Sequence, residues 1–112
     1  MSVDLSFSRD GQHFNVRSAA IIRHRNHILC TTADELGFWF LPGGRPKRGE
    51  TSVAALKREF REELGADIDA QTPHIVAESF FDLDGQHYHE LAFYYVADRP
   101  PQVKFVTDED CH

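Results

Sequence analysis

The sequence has few of the residues that build disulfide frameworks or membrane spans. Its two cysteines, Cys30 and Cys111, form no CxxC motif and no framework of pairs, so we interpret both as free thiols in a reducing cytosol. No apolar run approaches the roughly 20 residues that a transmembrane helix needs. The N-terminal segment MSVDLSFSRDGQ is polar and acidic, unlike a secretory signal. We therefore expect a cytoplasmic protein without a membrane segment.

Positive charge is also scarce. The 112 residues carry 12 Lys and Arg against 18 Asp and Glu, which gives a formal net charge of −6 at pH 7. Such a surface repels nucleic acid and anionic membranes, so we expect neither as a partner. An anionic substrate would then require a local cationic patch or a metal ion. The length supports one domain with a modest core.

The segment from Gly44 to Ala66 contains the strongest pattern, a predicted helix over about 51–64. Good helix formers fill its middle, Thr51 or Ser52 can cap its N-terminus, and Gly65 follows as a C-cap. Apolar residues recur at steps of three, four and four, and this spacing predicts one stripe that packs on a core. The stripe consists of Val53, Leu56, Phe60 and Leu64.

Three glutamates lie beside this stripe. Glu59, Glu62 and Glu63 occupy positions i, i+3 and i+4, a spacing at which like charges destabilise a helix by roughly 0.2–0.5 kcal/mol per pair. A solvated acidic face is the plainer interpretation. The alternative is a site for Mg²⁺ or Mn²⁺, since both cations prefer hard oxygen ligands.

The residues before the helix favour the metal site. A glycine turn, Leu41-Pro42-Gly43-Gly44, follows an aromatic stretch and leads into a short basic loop with Arg45, Lys47 and Arg48. Carboxylates that hold a metal next to cationic side chains suit a metal-bridged polyphosphate. The order of turn, basic loop and acidic helix therefore indicates phosphate chemistry.

Another phosphate-binding motif can be excluded. The spacing of Gly44 and Gly49 is that of the phosphate loop, G-x-x-x-x-G-K-[ST], but Glu50 stands in place of its lysine. Because a carboxylate at this position would repel phosphate, we reject a P-loop.

The whole segment resembles the Nudix box, G-x5-E-x7-R-E-U-x-E-E-x-G-U, in which U is a bulky aliphatic residue. Two U positions depart from the pattern, because Phe60 is larger than usual and Ala66 is smaller. Both residues are apolar, so we expect them to change packing rather than chemistry. The fixed positions are matched by Gly44, Glu50, Arg58, Glu59, Glu62, Glu63 and Gly65.

The resemblance implies a Nudix-like α/β/α sandwich, an α+β fold with a mixed sheet, in a single domain spanning residues 1–112. Members of the family usually continue into a further strand and a second helix. This chain stops before them, so we expect a C-terminally truncated domain or a layer supplied otherwise. Strands are predicted at 3–7, 16–22, 28–32, 37–41, 74–81, 87–96 and 103–106, with turns at 9–12, 23–27 and 82–85.

The resemblance also implies a reaction. Nudix enzymes hydrolyse the pyrophosphate linkage of a nucleoside diphosphate derivative or a nucleoside triphosphate, with Mg²⁺ or Mn²⁺ as cofactor. Glu59 or Glu62 could act as the general base, as could a residue outside the box, and Arg58 would orient the helix through its pair with Glu50. By position, the implied metal ligands are Glu59, Glu62, Glu63 and Gly43; the catalytic residues are Glu59, Glu62 and Arg58; and the structural residues are Gly44, Glu50 and Gly65. Arg45, Lys47 and Arg48 are not fixed positions of the motif; they could bind the phosphates of the substrate or simply be exposed.

Residues outside the box leave substrate choice open. Aromatic residues on the later strands could hold a base, although such residues more often belong to a core: Phe80, Phe81, Tyr88, Phe93 and Tyr95. His87 and His89 share one strand face while Glu90 points to the other, so we do not expect a compact metal triad there. In the tail, Asp108, Glu109 and Asp110 are candidates for a further metal ligand, and solvated tail charges are the plainer account.

An alternative function from another class is a catalytically inactive, Nudix-like module that binds nucleotides or regulates a partner. Such a module should show erosion of the acidic residues of the box, and this chain retains all of them. The substrate would be a nucleotide-type small molecule in either case, and a homodimer is left open.

Overall fold

The computed structural model describes residues 3–32 and 39–104. In these two ranges the chain forms one helix on a mixed sheet, which confirms the α+β prediction. In chain order the elements are β1 (Ser6–Arg9), β2 (Gln12–His24), β3 (His27–Ile28), β4 (Thr31–Thr32), β5 (Trp39–Phe40), β6 (Gly43–Gly44), α1 (Ser52–Leu64), β7 (Ile75–Leu83) and β8 (Gln86–Ala97).

The long strand β2 organises the sheet. Its path is β1-β2-β8-β7, with β2 and β8 parallel and the two outer pairs antiparallel. Along the other edge of β2, first β1, then β6 and then β3 pair with successive stretches of the strand. Because β1 and β6 share this edge, β2 positions both the first hairpin and the glycine turn before the helix.

Helix α1 has the predicted extent and the predicted caps. The Thr51 hydroxyl accepts a hydrogen bond from the Ala54 amide at 3.1 Å, which satisfies one of the free donors of the first turn. Gly65 adopts a left-handed conformation with φ 61°. Its amide donates to the Arg61 carbonyl at 3.1 Å, which is the single bond of an αL cap. The Ala66 amide donates to the Phe60 carbonyl at 3.2 Å.

The apolar stripe of α1 faces the core as predicted. Leu56 is fully buried and Phe60 is 1% exposed, while Val53 and Leu64 pack at the margin. The stripe meets Ala20 and Ile22 of β2 and Tyr95 of β8. The segment after the helix also contributes Ala66, Ile68 and Ala70 to this core.

Several predicted boundaries are wrong because cross-strand pairing extends or interrupts the local pattern. The strand predicted at 16–22 spans 12–24, since its N-terminal part pairs with both β1 and β8. The strand predicted at 28–32 divides into β3 and β4, which belong to different sheets. Gly44, predicted in a loop, lies in β6, and the turn predicted at 82–85 is only the two residues after β7.

The predicted last strand begins at Val103, which is buried but lies outside any strand. The rest of that prediction, 105–106, lies outside the described residues, as do 37–38 of the predicted fourth strand and the tail with Asp108, Glu109, Asp110 and Cys111. Within the described part of the chain, no helix has the length and apolar character that crossing a membrane requires.

Candidate active site

Arg58 is the centre of the hydrogen-bond network on α1. Its Nε and Nη2 donate to the two carboxylate oxygens of Glu50, at 2.8 and 3.0 Å. Its Nη1 donates to Glu59 at 2.8 Å and to Glu62 at 3.2 Å. Nη2 also donates to the Arg45 carbonyl at 3.2 Å. One guanidinium therefore ties the loop before the helix to two of the three predicted metal ligands.

The pair of Arg58 and Glu50 is well shielded from water. The two side chains are 21% and 18% exposed, and the Lys47 amide donates a further hydrogen bond to Glu50 at 2.9 Å. The hydrogen bond from Arg58 lowers the pKa of the Glu50 carboxyl, and that from the Lys47 amide acts in the same direction. Because bidentate, charge-assisted bonds are the strong ones, Glu50 is held ionised in the loop.

The two glycines of the turn stand where side chains cannot fit. A Cβ on Gly43 would lie 2.0 Å from the Ser18 carbonyl oxygen, since β6 packs closely on β2. A Cβ on Gly44 would lie 2.3 Å from Cδ of Glu59. The bare backbone of Gly44 thus forms a cradle for the Glu59 carboxylate.

The third glutamate, Glu63, lies in an electrostatically unfavourable position. Although the residue as a whole is exposed, desolvation of its carboxyl raises its pKa to about 7, and a hydrogen bond with Glu59 and the charges of Glu59 and Glu62 act in the same direction. The positive charge of Arg17 opposes this shift. A cation placed among these carboxylates would relieve their repulsion.

The glutamates do not form a closed cage of ligands. Within residues 3–32 and 39–104, no group of three or more His, Cys, Asp or Glu side chains surrounds one point. Arg58 accounts for part of this geometry because its Nη1 engages both Glu59 and Glu62. The structure thus brings the two carboxylates to one guanidinium and places Glu63 next to Glu59.

The basic loop lies directly against the N-terminal segment. The Leu5 amide donates to the Pro46 carbonyl at 2.8 Å, and the Arg48 amide donates to the Val3 carbonyl at 2.7 Å. Arg45 and Arg48 are exposed, and Lys47 is half-buried. The backbone of this loop is therefore fixed while two of its three cationic residues face solvent.

Arg17 is a residue near the site that the sequence analysis missed. It is the one cation within the otherwise uncharged run Val16–Ile22 of β2. Its Nη2 donates to the Leu41 carbonyl at 2.6 Å, and its guanidinium lies 5.6 Å from the centroid of the Phe40 ring. An arginine inside an apolar strand was the available signal for it.

The five aromatic candidates for base binding separate into two groups. Tyr95 is buried and Phe93 packs at the margin of the core, so these two follow the plainer prediction. Phe80 and Phe81 are exposed, and Tyr88 stacks on Phe81 with centroids 5.1 Å apart. Both histidines predicted to share a face bond to carboxylates of β7, His87 to Asp82 and His89 to Glu78.

Fold and site together define a Nudix domain, and the NUDIX domain family matches residues 13–112 of the chain. The chain therefore belongs to the Nudix family, as the sequence resemblance predicted. A crystal structure of a MutT NUDIX hydrolase from Burkholderia pseudomallei is similar, with a TM-score of 0.65 and 30% identity over 87% of this chain and 76% of that one.

Two curated relatives extend the comparison. The chain is 35% identical over 80 residues to a CTP pyrophosphohydrolase of Escherichia coli, which covers 68% of this chain and 58% of that protein. It is 34% identical over 82 residues to the low-salt glycan biosynthesis protein Agl8 of Haloferax volcanii, which covers 65% of this chain and 53% of that protein. The chain thus spans about half the length of the curated relatives it matches.

Proposed function

We propose that this chain is a divalent-metal-dependent pyrophosphohydrolase that acts on a nucleoside triphosphate or a nucleoside diphosphate derivative. The observation that carries the proposal is the network around Arg58, which joins Glu50, Glu59 and Glu62 through hydrogen bonds of 2.8–3.2 Å. A purely solvated acidic face would not require a shielded ion pair beneath it, nor a glycine cradle against one of its carboxylates.

The donor chemistry of the site fits Mg²⁺ or Mn²⁺. Carboxylates are hard oxygen ligands. Desolvation, together with the nearby charges of Glu59 and Glu62, raises the pKa of Glu63, and a divalent cation would offset both effects. Glu59, Glu62 and Glu63 would hold the cation, with the Gly43 carbonyl as a further ligand. A bound divalent cation supplies Lewis acidity, because it polarises phosphoryl oxygens and lowers the pKa of bound water.

Each residue of the box then has a task. Glu50 fixes Arg58, and Arg58 directs the carboxylates of Glu59 and Glu62. Glu59 or Glu62 would accept the proton of the attacking water as general base. Gly44 leaves room for the Glu59 side chain. The ion pair therefore acts on catalysis by orienting the groups that touch the substrate.

Cationic side chains near the box would contact the phosphates. Arg45, Lys47 and Arg48 follow the glycine turn on a loop whose backbone is fixed. Arg17 adds a fourth cation close enough to Glu63 to affect its pKa. A local cationic patch of this kind is what an acidic chain needs to bind an anionic substrate.

The substrate would be a nucleotide-type small molecule. The name of the Escherichia coli relative makes CTP the first candidate, and other nucleoside triphosphates and diphosphate derivatives follow. We place the reaction in the cytoplasm, where the free thiol of Cys30 would stay reduced.

A substrate screen tests this proposal. The purified chain is incubated with nucleoside triphosphates and diphosphate derivatives, with Mg²⁺ or Mn²⁺ and with excess chelator, and released phosphate and pyrophosphate are quantified. We expect hydrolysis of at least one substrate that stops with chelator. Nucleotide binding by calorimetry without turnover of any substrate would favour the inactive binding module, and hydrolysis that persists with chelator would contradict metal dependence.

A further inference from the structure

A concave surface lies outside the Nudix box, where the hairpins β1–β2 and β7–β8 meet. This hairpin groove has a volume of about 600 Å³, which falls within the range of roughly 300–1,000 Å³ typical of small-molecule sites. Residues of all four strands line it, including Phe7, Phe14 and Phe80. Ser18 of β2 pairs with Gly44 of the Nudix box. Phe14 lies four residues earlier on the same strand, so the groove is about 13 Å from that pair at the usual rise per strand residue.

A row of aromatic rings crosses the four strands at the groove. Phe7 stacks on Phe14 with centroids 5.5 Å apart, Phe14 meets His89 edge-on at 5.2 Å, and His89 packs against Phe80 at 4.3 Å. The two outer rings are largely exposed, Phe7 at 65% and Phe80 at 71%. Exposed aromatic surface that is contiguous and concave is typical of binding sites.

The charges around the groove favour a cation. Asp10 and Arg9 both line it. Asp82 bonds to the lining residue His87 at 2.6 Å, and Glu78 bonds to the lining residue His89 at 2.8 Å. With the histidines neutral, three carboxylates against one guanidinium leave a formal charge of −2 around the aromatic row. Aromatic faces also attract cations, because the ring quadrupole is negative above the ring.

We propose that the hairpin groove binds a flat aromatic ring that carries a positive charge, such as an N-alkylated heteroaromatic cation. The exposed faces of Phe7 and Phe80 offer stacking surfaces, and Asp10, Glu78 and Asp82 supply the complementary charge. The same charges disfavour an anionic nucleotide here. The groove is thus a site of opposite electrostatic preference to the one proposed at the Nudix box, and its occupancy does not depend on hydrolysis.

Three probes with one ring system and different charges test this proposal. The N-methylquinolinium cation, neutral quinoline and the quinoline-2-carboxylate anion are titrated at pH 8 into the ¹⁵N-labelled chain, without divalent metal or nucleotide. We expect the cation to bind most tightly and the anion most weakly, with amide shifts confined to β1, the start of β2, β7 and the start of β8. Equal or tighter binding of the anion would overturn the proposal, as would the absence of shifts at millimolar cation.

A pair of variants provides the control. Phe80→Leu keeps an apolar side chain but removes the aromatic face, and we expect it to weaken binding of the cation roughly two- to fivefold. Phe81→Leu is the matched control because Phe81 lies on the same strand but does not line the groove; its binding should equal that of the unchanged chain. Equal binding by both variants would overturn the proposal. So would self-association of the free chain that Phe80→Leu abolishes, since the groove would then be a contact between copies.

Discussion

Two stretches of β2 support different kinds of surface. At the middle of the strand, Ser18 pairs with Gly44 of the glycine turn, and a shielded ion pair joins the following helix to the loop before it. Near the start of the strand, Phe14 lines the hairpin groove, where aromatic rings are exposed and the histidine–carboxylate pairs face solvent. Sheet pairing alone therefore does not determine exposure, because α1 covers only one of the two stretches.

The comparison teaches how this small domain separates stability from recognition. Apolar burial is concentrated where α1 and the segment after it cover β2 and β8, as the buried cluster around Leu56, Phe60 and Tyr95 shows. At the groove, strand β7 is exposed along almost its whole length. Because the side chains of this surface contribute little to folding, they are available for contacts with a ligand.

Truncating one phenylalanine in the core under α1 and one in the hairpin groove should give the largest difference in stability between the two regions. Phe60→Ala removes a ring that is 1% exposed, and Phe80→Ala removes one that is 71% exposed. We expect the first to lower the free energy of unfolding by about 3–5 kcal/mol and the second to change it by less than ~0.5 kcal/mol. Urea denaturation of the metal-free chain measures both. Similar losses in the two regions would show that the groove is part of the core.

Replacing one glycine in each region with alanine should separate an effect on catalysis from an effect on stability. Gly44→Ala must displace the Glu59 carboxylate, because the new Cβ would lie 2.3 Å from its Cδ. A ligand misplaced by about 1 Å can cost on the order of 100-fold in rate. Gly85→Ala meets no atom within 4 Å but has φ 75°, so we expect a loss of roughly 1–2 kcal/mol in stability and an unchanged hydrolysis rate.

The order of these two effects can be checked with the same samples. Initial rates at saturating Mg²⁺ and melting temperatures without metal are measured for both variants. A fully active Gly44→Ala chain would show that the position of the Glu59 carboxylate does not matter. A slow Gly85→Ala chain would show that the hairpin turn reaches the site.

The pH dependence of metal-free stability should also distinguish the box. The pKa of Glu63 is raised to about 7, so its contribution to folding is complete below the unfolded value near 4.5 and is lost as pH rises through about 7. The pKa of Glu50 is lowered, so its contribution is present above about 4.5 and is lost on further acidification. We expect the chain with chelator to melt at a higher temperature at pH 5.5 than at pH 8.

Glu63→Gln is the control for this pH effect. The amide does not titrate, so the difference in melting temperature between pH 5.5 and pH 8 should shrink in that variant. An unchanged difference would assign the pH dependence to groups elsewhere in the chain.

The sequence predicted what depends on neighbours along the chain. The caps of α1 and its apolar stripe follow from spacing within one helix. The pairing of Arg58 with Glu50 follows from the resemblance to the Nudix box. The cradle of Gly44 for Glu59 and the approach of Arg17 to the site depend on where β6 meets β2, and no local pattern encodes that contact. The hairpin groove depends on the parallel register of β2 and β8, which aligns Phe14 with His89.

Contacts between strands that are distant in sequence also explain why the predicted strand boundaries are wrong. The apolar pattern predicts that a strand ends where the alternation stops, but β2 and β7 continue through polar residues because their partners still pair with them. The buried residues Ala66, Ile68 and Ala70 alternate with the exposed Asp67 and Asp69, although the segment forms no strand. This period-two alternation was the available signal for their core role. Burial there results from the position of α1 rather than from propensity.

The most direct test of the central claim compares two exposed acids that differ in position. Glu62→Gln removes a charge from the cluster and leaves only a neutral acceptor for the hydrogen bond from Arg58, which measures 3.2 Å. Asp67→Asn removes a charge just beyond the helix, from a pair with Arg61 at 2.9 Å. Exposed pairs of this kind contribute little to stability, so both metal-free variants should melt close to the unchanged chain. For Glu62→Gln, we expect a melting temperature equal to or slightly above that of the unchanged chain, because like-charge repulsion is lost.

Their hydrolysis rates should differ strongly. We expect initial rates with Mg²⁺ to fall on the order of 100-fold or more for Glu62→Gln, because an amide is a poor ligand for a hard cation and cannot act as a base. Asp67→Asn should retain full activity. A Glu62→Gln chain that melts early in the absence of metal yet hydrolyses nucleotide at the full rate would contradict the account, since Glu62 would then be a structural residue.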